Sequence, residues 1–230
     1  AVPCLLTGIA RAGGAGNVTV PHKQTAARSV ERATEAVART GACNTYWLED
    51  GVVCGDNTDV AGFQAAARAV LGRDVGGARV LLIGAGGAAS AAAYALALDR
   101  ADQVVVLNRS RAPAEELIGR FATGGTVFVL AASAAGLAGE RFDLVVNATS
   151  LGLRPEDPLP LPPDSEIHIG AALDLVYKPE LTPWVRQLRS RGIPADDGLE
   201  MLLQQGAASF SRWWGMEAPL NAMRASLPPR

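Results

Sequence analysis

Apolar positions in the middle of the chain run continuously instead of alternating with polar ones. Arg79-Val80-Leu81-Leu82-Ile83, Gln103-Val104-Val105-Val106-Leu107, Thr126-Val127-Phe128-Val129-Leu130, Asp143-Leu144-Val145-Val146-Asn147 and Ala172-Leu173-Asp174-Leu175-Val176 all have this character. Such runs predict strands buried on both faces, and the Ala-rich stretch from Ala88 to Arg100 predicts a helix between the first two. Strands alternating with helices predict a parallel sheet covered on both sides. Toward the C-terminus, Leu199, Leu202, Leu203, Ala207 and Phe210 recur at helical spacing. Gly198 to Leu227 therefore predicts two helices, broken near Gly215 and Pro219. Residues 1 to about 60 are patterned differently, with short apolar runs interrupted by polar clusters such as Asn17-Val18-Thr19 and Asp56-Asn57-Thr58-Asp59. Five prolines between Pro155 and Pro163 predict an extended loop.

The chain has 230 residues, of which 49% are hydrophobic, enough for one large or two small domains with a buried core. A net charge of −2 supplies no excess of positive charge for nucleic acid or an acidic membrane surface, so neither is expected as a partner. No stretch of about 18 uncharged apolar residues predicts a membrane span. Three cysteines without C-x-x-C spacing and only two histidines predict neither a disulfide framework nor a metal centre. Ala1 to Leu6 lacks the pattern of a signal peptide, and a reduced, cytoplasmic protein is the expectation. Trp184, Trp213 and Trp214 are expected to pack within helical regions, because no basic groove accompanies them.

Gly84-Ala85-Gly86-Gly87-Ala88-Ala89 fits G-x-G-x-x-A directly after a predicted strand and at the start of a predicted helix. In that setting Gly84 allows a tight turn and Gly86 lets backbone approach a pyrophosphate. Ala89 permits close helix–sheet packing, and the N–H groups of Gly87 and Ala88 at the helix start face the anion. The second strand ends at Asn108-Arg109-Ser110, where NAD-specific sites place an Asp or Glu. A neutral Asn108 followed by Arg109 and Arg111 suits a 2′-phosphate, so the expected cofactor is NADP(H). Thr149 and Ser150 follow a predicted strand, where a strand-end loop meets such a cofactor.

The first 60 residues add three polar motifs: Gly16-Asn17-Val18-Thr19-Val20-Pro21-His22-Lys23, Gly41-Ala42-Cys43-Asn44-Thr45 and Asp56-Asn57-Thr58-Asp59. Together with the glycine turn, Asn147-Ala148-Thr149-Ser150-Leu151-Gly152 and Asp197-Gly198-Leu199-Glu200-Met201-Leu202-Leu203-Gln204-Gln205, this ordered set resembles the shikimate dehydrogenase family over essentially the whole chain. The resemblance implies that Lys23 and Asp59 form the catalytic pair. Reduction of a ketone needs a proton at the carbonyl oxygen as hydride reaches the carbon; an ammonium supplies it, and a carboxylate orients the ammonium. It also implies that Asn17, Thr19, Asn44, Tyr177 and Gln205 contact substrate hydroxyls, and that Gly198 belongs with the cofactor-binding residues. Read without it, Asn17 and Asn44 are turn residues and Gln205 is an ordinary polar group on a helix.

The implied fold is α/β with two lobes, a Rossmann-like parallel-sheet NADP domain over residues 61–195 and a smaller α/β substrate domain. Residues 1–60 would form the latter, completed by C-terminal helices in 196–230. The family usually opens with a strand–helix–strand unit whose first loop carries Ser-x-Ser for the substrate carboxylate. Only sixteen residues precede Asn17, so the substrate domain is expected to be N-terminally incomplete. Pro113 stands where the family often has a further phosphate-binding Arg or Lys. The implied activity is reversible NADPH-dependent reduction of 3-dehydroshikimate to shikimate in aromatic amino acid biosynthesis, by a monomer or homodimer with a small-molecule substrate. The same motifs also fit a quinate or aminoshikimate dehydrogenase, and a non-catalytic nucleotide-binding homologue.

Overall fold

The computed structural model describes residues 2–122, 125–162 and 165–227. The chain divides into two units, one formed by residues 2–62 with 203–227 and the other by residues 63–202. The first contains α1 (Val2–Arg11), β1 (Gly16–Asn17), α2 (Lys23–Ala27), β2 (Arg32–Ala33), α3 (Glu35–Thr40), β3 (Thr45–Glu49), β4 (Val52–Asp56) and the start of α4 (Asp59–Leu71). Its strands lie in the order β1-β3-β4-β2. Asp50 and Gly51, with φ of 52° and 76°, make the two-residue β3–β4 turn that a Glu49↔Val52 pair closes. Aspartate and glycine tolerate this left-handed backbone better than other residues. Leu6, Ala10, Ala26, Val37, Cys43, Tyr46 and Val53 form the core.

The second unit contains β5 (Arg79–Ile83), α5 (Gly87–Leu98), β6 (Gln103–Leu107), α6 (Arg111–Phe121), β7 (Val127–Leu130), β8 (Arg141–Asn147), β9 (His168–Asp174), α7 (Pro183–Ser190) and β10 (Ala195–Asp196). All six strands are parallel, in the order β10-β9-β8-β5-β6-β7. Chain order reverses at β5/β8, the switch point where ligands of doubly wound sheets bind beyond the carboxyl ends of the strands. Val80, Leu81, Leu82, Val104 and Leu144 are fully buried, as the continuous apolar runs predict. Every residue of α5 from Ala89 to Leu96 is buried, because alanine lets a helix lie close against the sheet. The helices α8 (Leu199–Trp214) and α9 (Leu220–Ala225) close the chain.

Several elements depart from the sequence reading. The last predicted strand was expected over Ala172–Val176, but β9 runs from His168 and stops at Asp174, whose carboxylate accepts the Val176 N–H at 3.1 Å and turns the chain out of the sheet. Strand β8 starts two residues earlier than predicted, and the short edge strand β10 and helix α1 were not predicted. Residues 155–162 carry neither helix nor strand, while Pro163 lies outside the described residues. Trp184 is core, but Trp214 is 67% exposed, not packed away. Among the described residues no helix is long and apolar enough to cross a membrane, and no group of three or more His, Cys, Asp or Glu is placed to hold a metal ion.

Candidate active site

In the first unit, two helices begin on the residues singled out by sequence. Lys23 opens α2 and Asp59 opens α4. Lys23 Nζ donates to Asp59 Oδ2 at 2.6 Å. The lysine side chain keeps 24% of its surface and the aspartate 12%. An ammonium has three donors, and only one is taken by this carboxylate. Asp59 also sits in the first turn of α4, where the helix dipole favours a negative charge.

Asn44, 2% exposed, organises the pair from beneath. Its Oδ1 accepts the Thr58 N–H at 2.8 Å, which fixes the amide orientation, because only an oxygen can accept there. The Nδ2 group then faces Asp59 Oδ1 at 3.0 Å, Thr58 Oγ1 at 2.9 Å and Gln205 Oε1 at 3.2 Å. Thr58 Oγ1 and Ser209 Oγ lie 3.0 Å apart, and Trp213 Nε1 donates to Thr45 Oγ1 at 2.9 Å. Asp56 Oδ1 takes the Thr34 hydroxyl and Oδ2 takes Arg212 Nε at 3.0 Å. These bonds bind α8 to the 44–59 segment. Asn17 pairs with Thr45 in the β1–β3 register, and the Val18 N–H donates to the Asn44 carbonyl, so exposed Asn17 and Thr19 border the same region. Burial pushes the neighbouring Cys43 thiol up to about 11, which disqualifies it as a nucleophile.

In the second unit, the glycine turn follows β5. Gly84 has φ +112°, and a Cβ there would lie 2.8 Å from the Ala148 carbonyl oxygen. Gly86 and Gly87 have nothing within 4 Å of such a position, so the space above the start of α5 is open, with Ala88 exposed and Ala89 buried below. The first bond of the turn runs from Ser90 N–H to the Gly86 carbonyl, which leaves the N–H groups of residues 87–89 ahead of the helical ladder. At the end of β6, Asn108 Nδ2 donates to the Ser110 carbonyl at 2.7 Å. Arg111 is held by Glu115 at 2.8 Å, whereas exposed Arg109 has no ion pair among the described residues.

The 147–152 loop is held by a buried network. Asn147 Oδ1 accepts from Thr149 Oγ1 at 2.6 Å and from the Thr149 N–H at 3.1 Å, leaving Ser150 exposed. Asn147 Nδ2 donates to Asp174 Oδ1 at 2.8 Å, and Thr182 Oγ1 donates to Asp174 Oδ2 at 2.7 Å. Burial raises the Asp174 carboxyl to about 6 against hydrogen bonds that lower it, with the Asp197 charge adding to the rise. A carboxyl whose folded value exceeds its unfolded one stabilises the fold fully below the unfolded value, and that contribution is lost as pH rises through the folded value. Between roughly pH 4 and roughly pH 7, the unfolding free energy of the wild type relative to Asp174→Asn is therefore expected to fall by about 2 kcal/mol. Denaturant titrations of both proteins at the two pH values check this; a constant difference refutes it.

The structure thus gathers Lys23, Asp59, Asn44 and Gln205 into one bonded set and leaves Tyr177, 47% exposed, in the other unit after β9. Gly198 lies in the second unit, where a Cβ would press on the Leu175 backbone. Thr58, Ser209, Asp56, Arg212, Asp174 and Thr182 were missing from the sequence-derived set. Asp56 and Thr58, both inside the Asp56-Asn57-Thr58-Asp59 motif, had a local signal; Ser209 and Arg212 act through partners about 150 residues away, and Thr182 through Asp174, eight residues before it.

Comparison with known proteins agrees with the resemblance. A family described as shikimate / quinate 5-dehydrogenase matches residues 65–152, and one described as shikimate 5′-dehydrogenase C-terminal domain matches residues 198–227. The NADP(+) shikimate dehydrogenase of Moorella thermoacetica is 41% identical over 212 residues, covering 90% of this chain and 72% of that protein. Its counterpart in Halobacterium salinarum is 42% identical over 217 residues, covering 93% and 78%. The crystal structure of shikimate 5-dehydrogenase from Thermus thermophilus, in complex with NADP(H) and shikimate, superposes with a TM-score of 0.84 at 35% identity, covering 98% of this chain and 82% of that one.

Proposed function

This chain belongs to the shikimate dehydrogenase family, and from that membership we propose that it is an NADP-dependent oxidoreductase interconverting shikimate and 3-dehydroshikimate. The observation that carries the proposal is the 2.6 Å Lys23–Asp59 pair seated on Asn44. In the direction of reduction, Lys23 Nζ gives a proton to the carbonyl oxygen of 3-dehydroshikimate. In the reverse direction it takes the hydroxyl proton of shikimate. Asp59 holds the ammonium at that oxygen and stabilises its charge, while Asn44 keeps the second carboxylate oxygen turned away. Asn17, Thr19 and Gln205 receive the remaining ring hydroxyls. Asn44 joins them when a hydroxyl takes over its 3.2 Å bond to Gln205, the longest of its set.

The second unit fits a dinucleotide. The open space above Gly86 and Gly87 and the N–H groups of residues 87–89 suit a pyrophosphate, and Gly84, Ala88, Ala89, Thr149, Ser150 and Gly198 shape the surrounding backbone. Arg109, with Asn108 and Ser110 beside it, would hold a 2′-phosphate, and Arg111 would do so only on leaving Glu115. When bound, the nicotinamide supplies the hydride donor or acceptor. The reaction belongs to aromatic amino acid biosynthesis in this reading.

The test is a substrate panel. NADPH formation is expected with shikimate and NADP+, with slower turnover when NAD+ replaces NADP+. Faster turnover with quinate would move the substrate assignment, which the shikimate / quinate family description makes the competing reading. Tight NADP+ binding without turnover on either acid would overturn the catalytic reading.

A further inference from the structure

The second unit has a cavity of about 450 Å³ at the amino ends of its strands, on the opposite edge of the sheet from Gly84. The seven residues of β8 span the distance between the two edges, about 20 Å. Arg141 and His168, the first residues of β8 and β9, are direct neighbours in register and line it together with Arg191 from the end of α7. Phe142 and Ile167, buried residues of the core that also contains Trp184, line it as well. The cavity therefore has a cationic part and an apolar part.

The charge balance favours an anion. Asp143, the only carboxylate lining the cavity among the described residues, is already engaged: Oδ1 accepts from Arg73 Nη2 at 3.1 Å and Oδ2 from the Arg79 N–H at 2.8 Å. Among the described residues, neither Arg141 nor Arg191 takes part in an ion pair, and both are exposed. The last carbonyls of α7 do not oppose an anion either, because the Leu188 oxygen takes the N–H groups of Arg191 and Ile193 and the Arg189 oxygen takes that of Gly192. Guanidinium groups pair carboxylates, sulfonates and phosphates through forked donors, and ligand pockets of this size combine a few such groups with an apolar wall.

We propose that this cavity is a second ligand site, separate from the dinucleotide region, for a small organic anion with an aromatic or alicyclic body. Its acid group pairs with Arg141 and Arg191, His168 offers a further ring N–H, and its body lies against Phe142 and Ile167. The proposal does not depend on the dehydrogenase reading.

The aromatic sulfonate 1-anilinonaphthalene-8-sulfonate, whose fluorescence rises in apolar surroundings, is a suitable probe. Titration of the full chain with saturating NADP+ present is expected to show a binding component that weakens at least about tenfold in the Arg141→Gln/Arg191→Gln double variant. Benzoate is expected to displace it at concentrations where sulfate does not. Both arginines are exposed, so the variant should melt with the wild type and the comparison reads binding alone. An unchanged component in the double variant, no such component when NADP+ is saturating, or equal displacement by sulfate and benzoate would each overturn the proposal.

Discussion

Replacing Lys23 by alanine is expected to lower turnover of shikimate about 10²- to 10⁴-fold, the range for loss of a positioned proton donor, while the dissociation constant for NADP+ stays where it was. The reasoning lies in the separation of tasks. Lys23 Nζ meets Asp59 Oδ2 at 2.6 Å in one unit, whereas Gly84, Gly86 and Arg109 belong to the other. Removing the amine takes nothing from the glycine turn or from the start of α5. Asp59 also keeps its Asn44 bond, so the fold around it loses one partner of two. Steady-state kinetics and a fluorescence titration with NADP+ check both halves. A parallel fall in turnover and cofactor affinity would mean that Lys23 supports the structure and not the chemistry.

Gly198→Ala should produce a larger loss of stability than a methyl group added at Gly86. A Cβ at that position would overlap the Leu175 carbonyl oxygen and come within 2.9 Å of its carbon. Those atoms are backbone and cannot rotate aside as a side chain would. The Gly198 N–H also donates to the Val176 carbonyl at 3.1 Å, and its own carbonyl accepts from Leu202 in the first turn of α8, so a shift is transmitted both ways. A cost of about 3 kcal/mol is expected, a fall in melting temperature of about 6–12 °C. Gly86→Ala is the matched control. Nothing lies within 4 Å of its Cβ, and its φ of −86° suits alanine, so the melting temperature should hold while NADP+ binding weakens. If Gly198→Ala melts with the wild type, the close packing against Leu175 is not a constraint on the fold.

What could be read ahead of the structure follows from the range of the interactions. The strands Arg79–Ile83 and Gln103–Leu107 and the helix after the glycine turn are marked by neighbouring residues, and all three form within a residue or two of expectation. Helix α1 was missed because its signal is small: Leu6 and Ala10, four residues apart, are its only buried positions. The end of β9 was misjudged because Leu175 and Val176 look like strand residues. A hydrogen bond from the Val176 N–H to the Asp174 side chain overrides that preference. In the site, the motifs pointed to Lys23, Asp59 and Asn44, but nothing local announces Ser209, Arg212 or Trp213 as their support. Each of those pairs with a residue about 150 positions or more away.

That separation bears on how the protein is made. The hydrogen bonds Asn44–Gln205, Thr58–Ser209, Asp56–Arg212 and Thr45–Trp213 close over 151 to 168 residues. A ribosome adding about 5–20 residues per second needs several seconds or more between emitting Asp59 and emitting the α8 residues. Throughout that interval Asn44 and Thr58 wait without their C-terminal partners, and all six strands of the parallel sheet are synthesised before it ends. The later-made helix then closes the earlier-made unit, and a folded sheet in the intervening chain shortens the loop that this closure must span. A nascent chain halted before Leu203 would therefore carry the entire dinucleotide sheet and both members of the Lys23–Asp59 pair, yet lack the part of α8 whose Gln205 braces Asn44 beneath them.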